Sequence, residues 1–267
     1  MDSYAVIGNP IGHSQSPQIH AAFARQLGHS IDYSRLLAPI DGFEASVERF
    51  IEAGGRGMSV TVPFKEIAYE RCNQLSSYAQ SAQAVNALKF EQGRWVGHNT
   101  DGLGLVADLI AQGIKLSGIN VLILGAGGAA KGILLPLLES GIGGIDICNR
   151  THDKAVQLSN STPPNYLVRA VSMTELTESY DLIINSTSAS LQGINLPIPS
   201  SVVSPSSCCY DLMYSSEETP FNQWARELGV TKRFDGLGML VHQAAFAYEF
   251  WRGVKPDALS VMEKLRS

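Results

Sequence analysis

The chain has no apolar run near the ~20 residues that a membrane-spanning helix needs. It opens with MDSYAVIGNP, which passes straight into strand-like sequence without a basic and apolar leader, so the expected location is the cytoplasm. Cysteine is scarce. The four thiols, Cys72, Cys148, Cys208 and Cys209, lack the spacing of a metal site or a disulfide framework, and buried reduced thiols are the simplest reading. The six histidines form no H-E-x-x-H or similar cluster, so no metal is expected. Excess charge is missing too: a net charge of −5 provides no field for nucleic acid or anionic lipid, and neither is an expected partner. Repeats and low-complexity tracts are absent. With 45% hydrophobic and 17% charged residues, the chain is globular with a sizeable core. Its 267 residues suggest two domains.

What the sequence does have is a glycine turn between a strand and a helix. Val121 to Leu124 form a short unbroken apolar run, the pattern of a strand covered on both faces. Glycines come next, then a helix-forming segment, Ala129 to Leu138. Read as G-x-G-x-x-A, the small residues are Gly125, Gly127 and Ala130. Gly125 would make the tight turn, Gly127 would let a pyrophosphate approach bare backbone, and Ala130 would let helix and strand pack closely. The free N–H groups at the helix start then face the phosphates.

Before this turn, strands are expected at Tyr4–Gly8, Asp32–Leu37 and Met58–Val62, with helices at Gln18–Leu27, Phe43–Ala53 and Ile67–Leu75. Ala87–Phe90 and Arg94–Gly97 flank Gln92-Gly93 as a hairpin. A helix spans Leu103–Gln112. Beyond the turn, strands are expected at Ile145–Asn149, Tyr166–Ala170, Asp181–Asn185, Cys208–Leu212 and Thr231–Phe234, with helices at Met173–Glu178 and Thr219–Leu228 and a loop over Gly193–Pro205. A long helix, Met239–Arg252, is apolar on two sides, as if wedged between other elements and crossing back to the first domain. The predicted fold is α/β with two domains: a mostly parallel α/β substrate domain, residues 1–101 plus 239–267, and a Rossmann-type NADP-binding domain, residues 102–238, with a cleft between them.

The choice of cofactor rests on the residues just past the second strand of the dinucleotide unit. An NAD site places an acid there, ~20 residues past the glycines, on the ribose 2′-hydroxyl. Here the strand ends in Asn149, with Arg150 and Thr151 next and Lys154 a turn later. Two cations and a hydroxyl replace the carboxylate, and a guanidinium can grip a 2′-phosphate with two hydrogen bonds. Asp146 lies back along the strand on the other face, and Asp153 reads as a helix N-terminal acid. The expected cofactor is NADP(H); the plainer alternative is that Arg150 is a surface cation at a strand end.

Hydride transfer to a ketone creates an alkoxide, so a proton donor must stand beside the oxygen. Lys65 comes after a strand and the rigid Val62-Pro63 turn, and Asp101 lies at the domain boundary. A lysine side chain, with an ordinary pKa near 10.4, is useful when a carboxylate holds its ammonium aimed. On spacing alone, such a lysine is more often a surface residue. Ser14 and Ser16, two residues apart after the first strand, suit a carboxylate or polyol, and equally a helix cap before Pro17. They are not the G-x-S-x-G nucleophile elbow, because the last glycine is missing.

Gly8-Asn9-Pro10-Ile11 with Ser14-Gln15-Ser16-Pro17, VTVPFK at Val60–Lys65, Val85-Asn86-Ala87, Asn99-Thr100-Asp101-Gly102, GAGGAAK from Gly125, Asn149-Arg150-Thr151, Asp211-Leu212-Met213-Tyr214 and GLGMLVHQAA from Gly236 together resemble the shikimate dehydrogenase family. The likeness runs from about Tyr4 to Trp251. It implies NADPH-dependent reduction of 3-dehydroshikimate to shikimate, on the route to aromatic amino acids, by a monomer or homodimer. By the same resemblance, Lys65 and Asp101 match the catalytic pair. Ser14 and Ser16 match the substrate-carboxylate binders, with the phenol of Tyr214 nearby, and Thr61, Asn86 and Gln243 match groups that bond the ring hydroxyls. Gly125, Ala126, Gly127, Gly128 and Ala129, with Asn149, Arg150, Thr151 and Lys154, match cofactor contacts; Leu212, Gly236 and Met239 match positions around the nicotinamide. Some members of the family carry Arg where Lys154 stands. Two rivals are an NAD-using quinate/shikimate dehydrogenase, against which Asn149-Arg150 argues, and a non-catalytic NADPH sensor, against which the presence of Lys65 and Asp101 argues.

Overall fold

The computed structural model describes residues 1–194 and 196–266. The chain divides into two compact units, Met1–Gly104 joined by the chain from Leu240 onward, and Leu105–Met239.

The first unit runs β1 (Asp2–Gly8), α1 (Ser16–Leu27), β2 (Ile31–Leu37), α2 (Phe43–Glu52), β3 (Gly55–Val60), α3 (Lys65–Arg71), β4 (Gln74–Leu75), α4 (Ser77–Ala82), β5 (Ala87–Glu91), β6 (Arg94–His98) and the start of α5 (Asp101–Ala111). Its sheet has the order β2-β1-β3-β5-β6-β4. β1 pairs in parallel with β2 and β3, whereas β5 is antiparallel to both β3 and β6. The expected mostly parallel sheet with one hairpin is therefore present.

Local chemistry sets the boundaries. Gly28, at φ 66°, ends α1 in the left-handed conformation, and the His29 N–H returns to the Ala24 carbonyl. The helix expected over Ile67–Leu75 ends early, at Arg71. The end of the expected stretch is drawn into the sheet, where Gln74 and Leu75 pair with Val96 and Gly97, and Ser76 then caps α4, which lies beyond that stretch, by accepting from the Ala79 N–H at 3.2 Å. The strand expected to begin at Met58 begins at Gly55, because the glycines there serve close packing as well as the turn. A methyl on Gly57 would lie 2.8 Å from the Trp251 ring.

The second unit contains β7 (Asn120–Leu124), α6 (Gly128–Glu139), β8 (Gly144–Cys148), α7 (His152–Asn160), β9 (Val168–Val171), β10 (Leu182–Asn185), β11 (Cys208–Asp211), α8 (Pro220–Glu227) and β12 (Lys232–Phe234). α9 (Leu237–Arg252) starts in this unit and continues into the first, which ends with α10 (Ala258–Arg266), a helix that the sequence reading does not assign. Residues 173–175 form a single 3-10 turn, shorter than the helix expected over Met173–Glu178. The expected loop Gly193–Pro205 carries a 3-10 turn at Ser200–Val202; Asn195, within it, lies outside the described residues.

All pairings in the second sheet are parallel, in the order β12-β11-β10-β7-β8-β9. This is the order of dinucleotide-binding folds, and the chain changes its direction of growth between β7 and β10. Both faces are covered, as the apolar runs require. Val121, Ile123, Ile145, Ile147, Leu182 and Ile184 point into one core, with Leu105 and Leu109 of α5 and Ile133 of α6. Leu122, Leu124, Cys148, Ile183 and Cys209 point into the other, with Phe221 and Ala225 of α8. The alternation is the period-two geometry of a strand. Among the described residues no helix is long and apolar enough to cross a membrane.

In the first unit His20 is fully buried, stacked on Tyr33 with ring centroids 4.3 Å apart, and neither ring nitrogen has a hydrogen-bond partner among the described residues. Burial drives its pKa from 6.5 down to about 3, and burial likewise lowers that of His98 to about 4. Below pH 6.5 the unfolded chain therefore binds protons that the folded chain refuses, and stability falls as the pH drops from 6.5 towards these lower values. Between pH 6.5 and 5 the His20 share is about 2 kcal/mol. Urea unfolding at both pH values is expected to show His20→Phe losing less stability than the parent chain by roughly that amount; equal losses would contradict the burial account.

Candidate active site

In the first unit a polar cluster forms where α3, α5, α9 and the segment before β5 meet. Lys65 opens α3, and its Nζ donates to Asp101 Oδ2 at 2.6 Å. Asp101 opens α5, where a carboxylate is favoured by the helix dipole. Its backbone N–H is held by Asn99 Oδ1 at 3.1 Å, and its second oxygen, Oδ1, accepts from Asn86 Nδ2 at 2.8 Å. Asn86 is locked in turn: Thr100 donates its N–H to Asn86 Oδ1 at 2.9 Å, and Asn86 Nδ2 lies 2.9 Å from the Thr100 hydroxyl and 3.2 Å from Gln243 Oε1. The side chains of Lys65 and Asp101 are 30% and 13% exposed, so the ammonium is held on one side and open to water on the other.

Of the other expected residues of this unit, Ser14 and Ser16 follow β1, Thr61 follows β3 and Gln243 lies on α9. Ser14 Oγ is 3.2 Å from Ser16 Oγ and accepts the Ser16 N–H at 3.3 Å. α1 receives no side-chain cap from its N-cap residue, Gln15; the serine pair forms a local turn before the helix. Arg35 fixes that turn by donating from Nε to the Ser14 carbonyl at 3.0 Å. Thr61 is half-buried just past β3, with its N–H on the Ile7 carbonyl at 3.0 Å. Gln243 is half-buried on α9 and donates from Nε2 to the Leu240 carbonyl at 2.8 Å. It is bonded into the cluster, not a stray surface amide.

In the second unit the expected cofactor residues follow the C-terminal ends of the parallel strands β7, β8, β11 and β12. Gly125 has φ +107°, and a side chain there would meet Ser186 Oγ at 2.6 Å, so β7 can leave the sheet at this point only through glycine. Gly127 and Gly128 are exposed, with open space where their side chains would be. Ala130 is fully buried, in contact with the core beneath α6. Such a bare helix start, whose first N–H groups lack intrahelical partners, fits a pyrophosphate. After β8, Asn149 donates from Nδ2 to the Thr151 carbonyl at 2.8 Å, and Arg150, Thr151 and Lys154 are exposed at the start of α7. Asp146, the only acid on β8, is engaged elsewhere: it takes two bonds from Arg169, both at 2.8 Å, and one from Tyr180 at 2.7 Å. A 2′-phosphate thus fits the charges at the β8 tip, and the carboxylate of β8 itself is already bonded.

Leu212 and Gly236 are buried and in mutual contact: a methyl on Gly236 would fall 2.1 Å from the Leu212 carbonyl oxygen. Met239 and Tyr214 are half-buried, and burial raises the pKa of the Tyr214 phenol. Among the described residues no group of three or more His, Cys, Asp or Glu side chains could hold a metal.

Sequence reasoning does not find the buried polar framework behind these loops. Asp211 accepts from Asn185 at 3.1 Å and from Ser190 at 2.6 Å, tying the loop after β10 to the one after β11. Asp108 accepts from Tyr210 Oη at 2.6 Å inside the core. The available signal is an acid in the apolar segment LVADLI of α5, where an exposed position is otherwise expected.

Comparison with known proteins agrees with this geometry. Residues 6–88 match the shikimate dehydrogenase substrate binding domain, 106–196 match shikimate / quinate 5-dehydrogenase, and 236–266 match the shikimate 5'-dehydrogenase C-terminal domain. The chain is 52% identical to the shikimate dehydrogenase (NADP(+)) of Shewanella woodyi over 99% of its own length and 97% of that protein. Among solved structures, an Ael1 enzyme from Pseudomonas putida has a TM-score of 0.95 at 43% identity, covering 100% of this chain and 99% of that one. The shikimate 5-dehydrogenase of Thermus thermophilus, solved with NADP(H) and shikimate, has a TM-score of 0.89 at 31% identity, with the same coverage. Strand order, glycine turn, paired ammonium and carboxylate, and near full-length identity converge: the chain belongs to the shikimate dehydrogenase family.

Proposed function

We propose that the chain catalyses the reversible NADPH-dependent reduction of 3-dehydroshikimate to shikimate, with Lys65 as the proton donor and Asp101 as its anchor. The observation that carries this reading is the Lys65 Nζ–Asp101 Oδ2 bond of 2.6 Å, with the second carboxylate oxygen occupied by Asn86. A carboxylate held on both sides aims the ammonium, and a positioned donor is what a developing alkoxide needs. NADPH, when bound, supplies the hydride that reaches the ketone carbon. Lys65 gives its proton to the ketone oxygen as that oxygen becomes a hydroxyl, and water recharges the amine through its open side. In the reverse direction Lys65 removes the hydroxyl proton.

The same reading assigns Ser14 and Ser16 to the substrate carboxylate, with the Tyr214 phenol, and assigns Thr61, Asn86, Asp101 and Gln243 to the ring hydroxyls. Support comes from their hydroxyl and amide chemistry: a site that bonds a substrate hydroxyl rejects analogues lacking it, by as much as ~10⁴-fold. Gly125 to Ala129 take the pyrophosphate, Asn149, Arg150, Thr151 and Lys154 take the 2′-phosphate, and Leu212, Gly236 and Met239 border the nicotinamide. In this reading the first unit is the substrate domain and the second the cofactor domain. The protein works in the cytoplasm as a monomer or homodimer; its four free cysteines suit a reducing compartment.

The test tracks the nicotinamide absorbance band with 3-dehydroshikimate and either NADPH or NADH, and in reverse with shikimate or quinate. Turnover with NADPH and shikimate far above that with NADH and quinate is the expected result. Equal use of NADH or quinate would instead make the chain a broad-range quinate/shikimate dehydrogenase. No turnover with any pair would make it a binding protein.

A further inference from the structure

The start of α9 is fastened from below by a buried pair that the reaction scheme does not use. Tyr210, on β11, is fully buried, and its hydroxyl donates to Asp108 Oδ2 at 2.6 Å. The same hydroxyl oxygen accepts the Met239 N–H at 3.1 Å. Asp108 is also fully buried; its other oxygen accepts from Gln112 Nε2 at 3.2 Å. A side chain at Gly238 would fall 2.2 Å from Asp108 Oδ2, so the carboxylate is pressed against the first turn of α9. The Leu237 N–H is taken separately, by Asp235 Oδ1 at 3.2 Å.

Physically this is a helix cap built from a distance. The first N–H groups of a helix need partners outside it. Here one partner is a phenol from a neighbouring strand, itself oriented by a buried anion, and the anion sits where the helix dipole favours negative charge. Burial and Asp108 together raise the Tyr210 pKa well above its ordinary value, so the phenol stays a neutral donor. A buried carboxylate carries a heavy desolvation penalty unless it is bonded. An apolar pair would fill the same core without that penalty; what the polar pair adds is a fixed position for one particular amide.

We propose that Tyr210, braced by Asp108, is a positioning residue that fixes the Gly236–Met239 segment, and through it the placement of the nicotinamide ring. This rests on the proposed function, which sets that segment beside the nicotinamide. Tyr210 touches neither substrate nor cofactor in this account. Its effect is on geometry, and a misplacement on the order of 1 Å can lower a rate about 10²-fold.

The experiment compares the full-length parent chain with Tyr210→Phe and with Tyr210→Phe/Asp108→Asn. The single variant frees the Met239 N–H but also strands a buried charge, so its thermal midpoint should drop. The double variant removes that charge and should recover much of the midpoint. In both, kcat is expected to fall roughly 10- to 100-fold, with KM for 3-dehydroshikimate changed less than about threefold and a larger isotope effect with 4-deuterated NADPH, since hydride transfer then limits the rate. Amide exchange at Met239 should accelerate in both variants without any ligand. Recovery of kcat together with the midpoint in the double variant, or unchanged exchange at Met239, overturns the proposal and leaves the pair a matter of stability. If the parent chain does not turn over 3-dehydroshikimate with NADPH, the functional reading fails, while exchange at Met239 still decides the clamp.

Discussion

Lys65→Ala should lower kcat by about 10²–10⁴-fold, the range for a positioned acid–base group, and change KM for the substrate only slightly. That split marks an interaction made mainly in the transition state. The structure explains why affinity should survive. Ser14, Ser16, Thr61 and Gln243 are each held by backbone or neighbouring side chains that do not involve Lys65, and Asp101 keeps its bond from Asn86 after the lysine is gone. Folding should also survive: Lys65 is partly open to water, at 30% side-chain exposure, and the Asp101 carboxylate keeps its Asn86 bond when the lysine is removed. Lys65→Met, which keeps the stem and removes the charge, should match Lys65→Ala in kcat. Steady-state kinetics with both variants checks this. A variant with near-parental kcat, or a loss that falls on KM alone, would remove Lys65 from proton transfer.

Arg150→Ala should raise KM for NADPH by about 10- to 100-fold, since charge-assisted bonds contribute roughly 1.5–3 kcal/mol, and leave KM for NADH nearly unchanged. The 2′-phosphate is the only group that distinguishes the two cofactors, and Arg150 is exposed at the tip of β8 with no acid beside it on that strand. The one β8 carboxylate, Asp146, is bound by Arg169 and Tyr180, so it is not available to a ribose. Lys154, one turn into α7 and likewise exposed, should show a smaller effect of the same sign, because an ammonium cannot form the paired bonds of a guanidinium. Raised salt should narrow the difference between parent and variant for NADPH and not for NADH. An unchanged NADPH-to-NADH preference in Arg150→Ala would show that the phosphate is read elsewhere.

Much of the architecture is legible in the sequence wherever one short-range signal dominates. β7, β8 and β10 read as apolar runs because both faces of the parallel sheet are covered, and glycine at 125 is required by a backbone that no other residue adopts readily. The hairpin β5–β6 is visible through Gln92-Gly93, both at positive φ. Where pairing over long sequence distances decides, the reading fails. Nothing local marks β4, a two-residue strand held by β6, and so the sequence suggests a helix that runs on through it to Leu75. α10 escapes because its apolar positions gain meaning only against α1 and α9, where Val261 and Met262 meet Ile19, Phe23 and Tyr248. The site divides the same way. Lys65 and Asp101 can be nominated by chemistry, but 36 positions separate them, and only the family resemblance raises them above other candidates. Asn86 joins them by bonding Asp101, Thr100 and Gln243 at once, a convergence that no spacing rule contains. Asp108 and Tyr210 stay hidden because an acid inside a helix reads as a solvated face until the core is built around it.

On the proposed mechanism, the ammonium held by Asp101 is the group facing the oxygen reduced by hydride. A crystal structure of the chain with NADP⁺ and shikimate measures this directly. Lys65 Nζ is expected within hydrogen-bonding reach, about 2.6–3.2 Å, of the oxidisable hydroxyl, with the nicotinamide carbon that accepts the hydride about 3–3.5 Å from the carbon bearing that hydroxyl. Shikimate bound with that hydroxyl turned away from Lys65, or the nicotinamide seated away from the substrate, would contradict it.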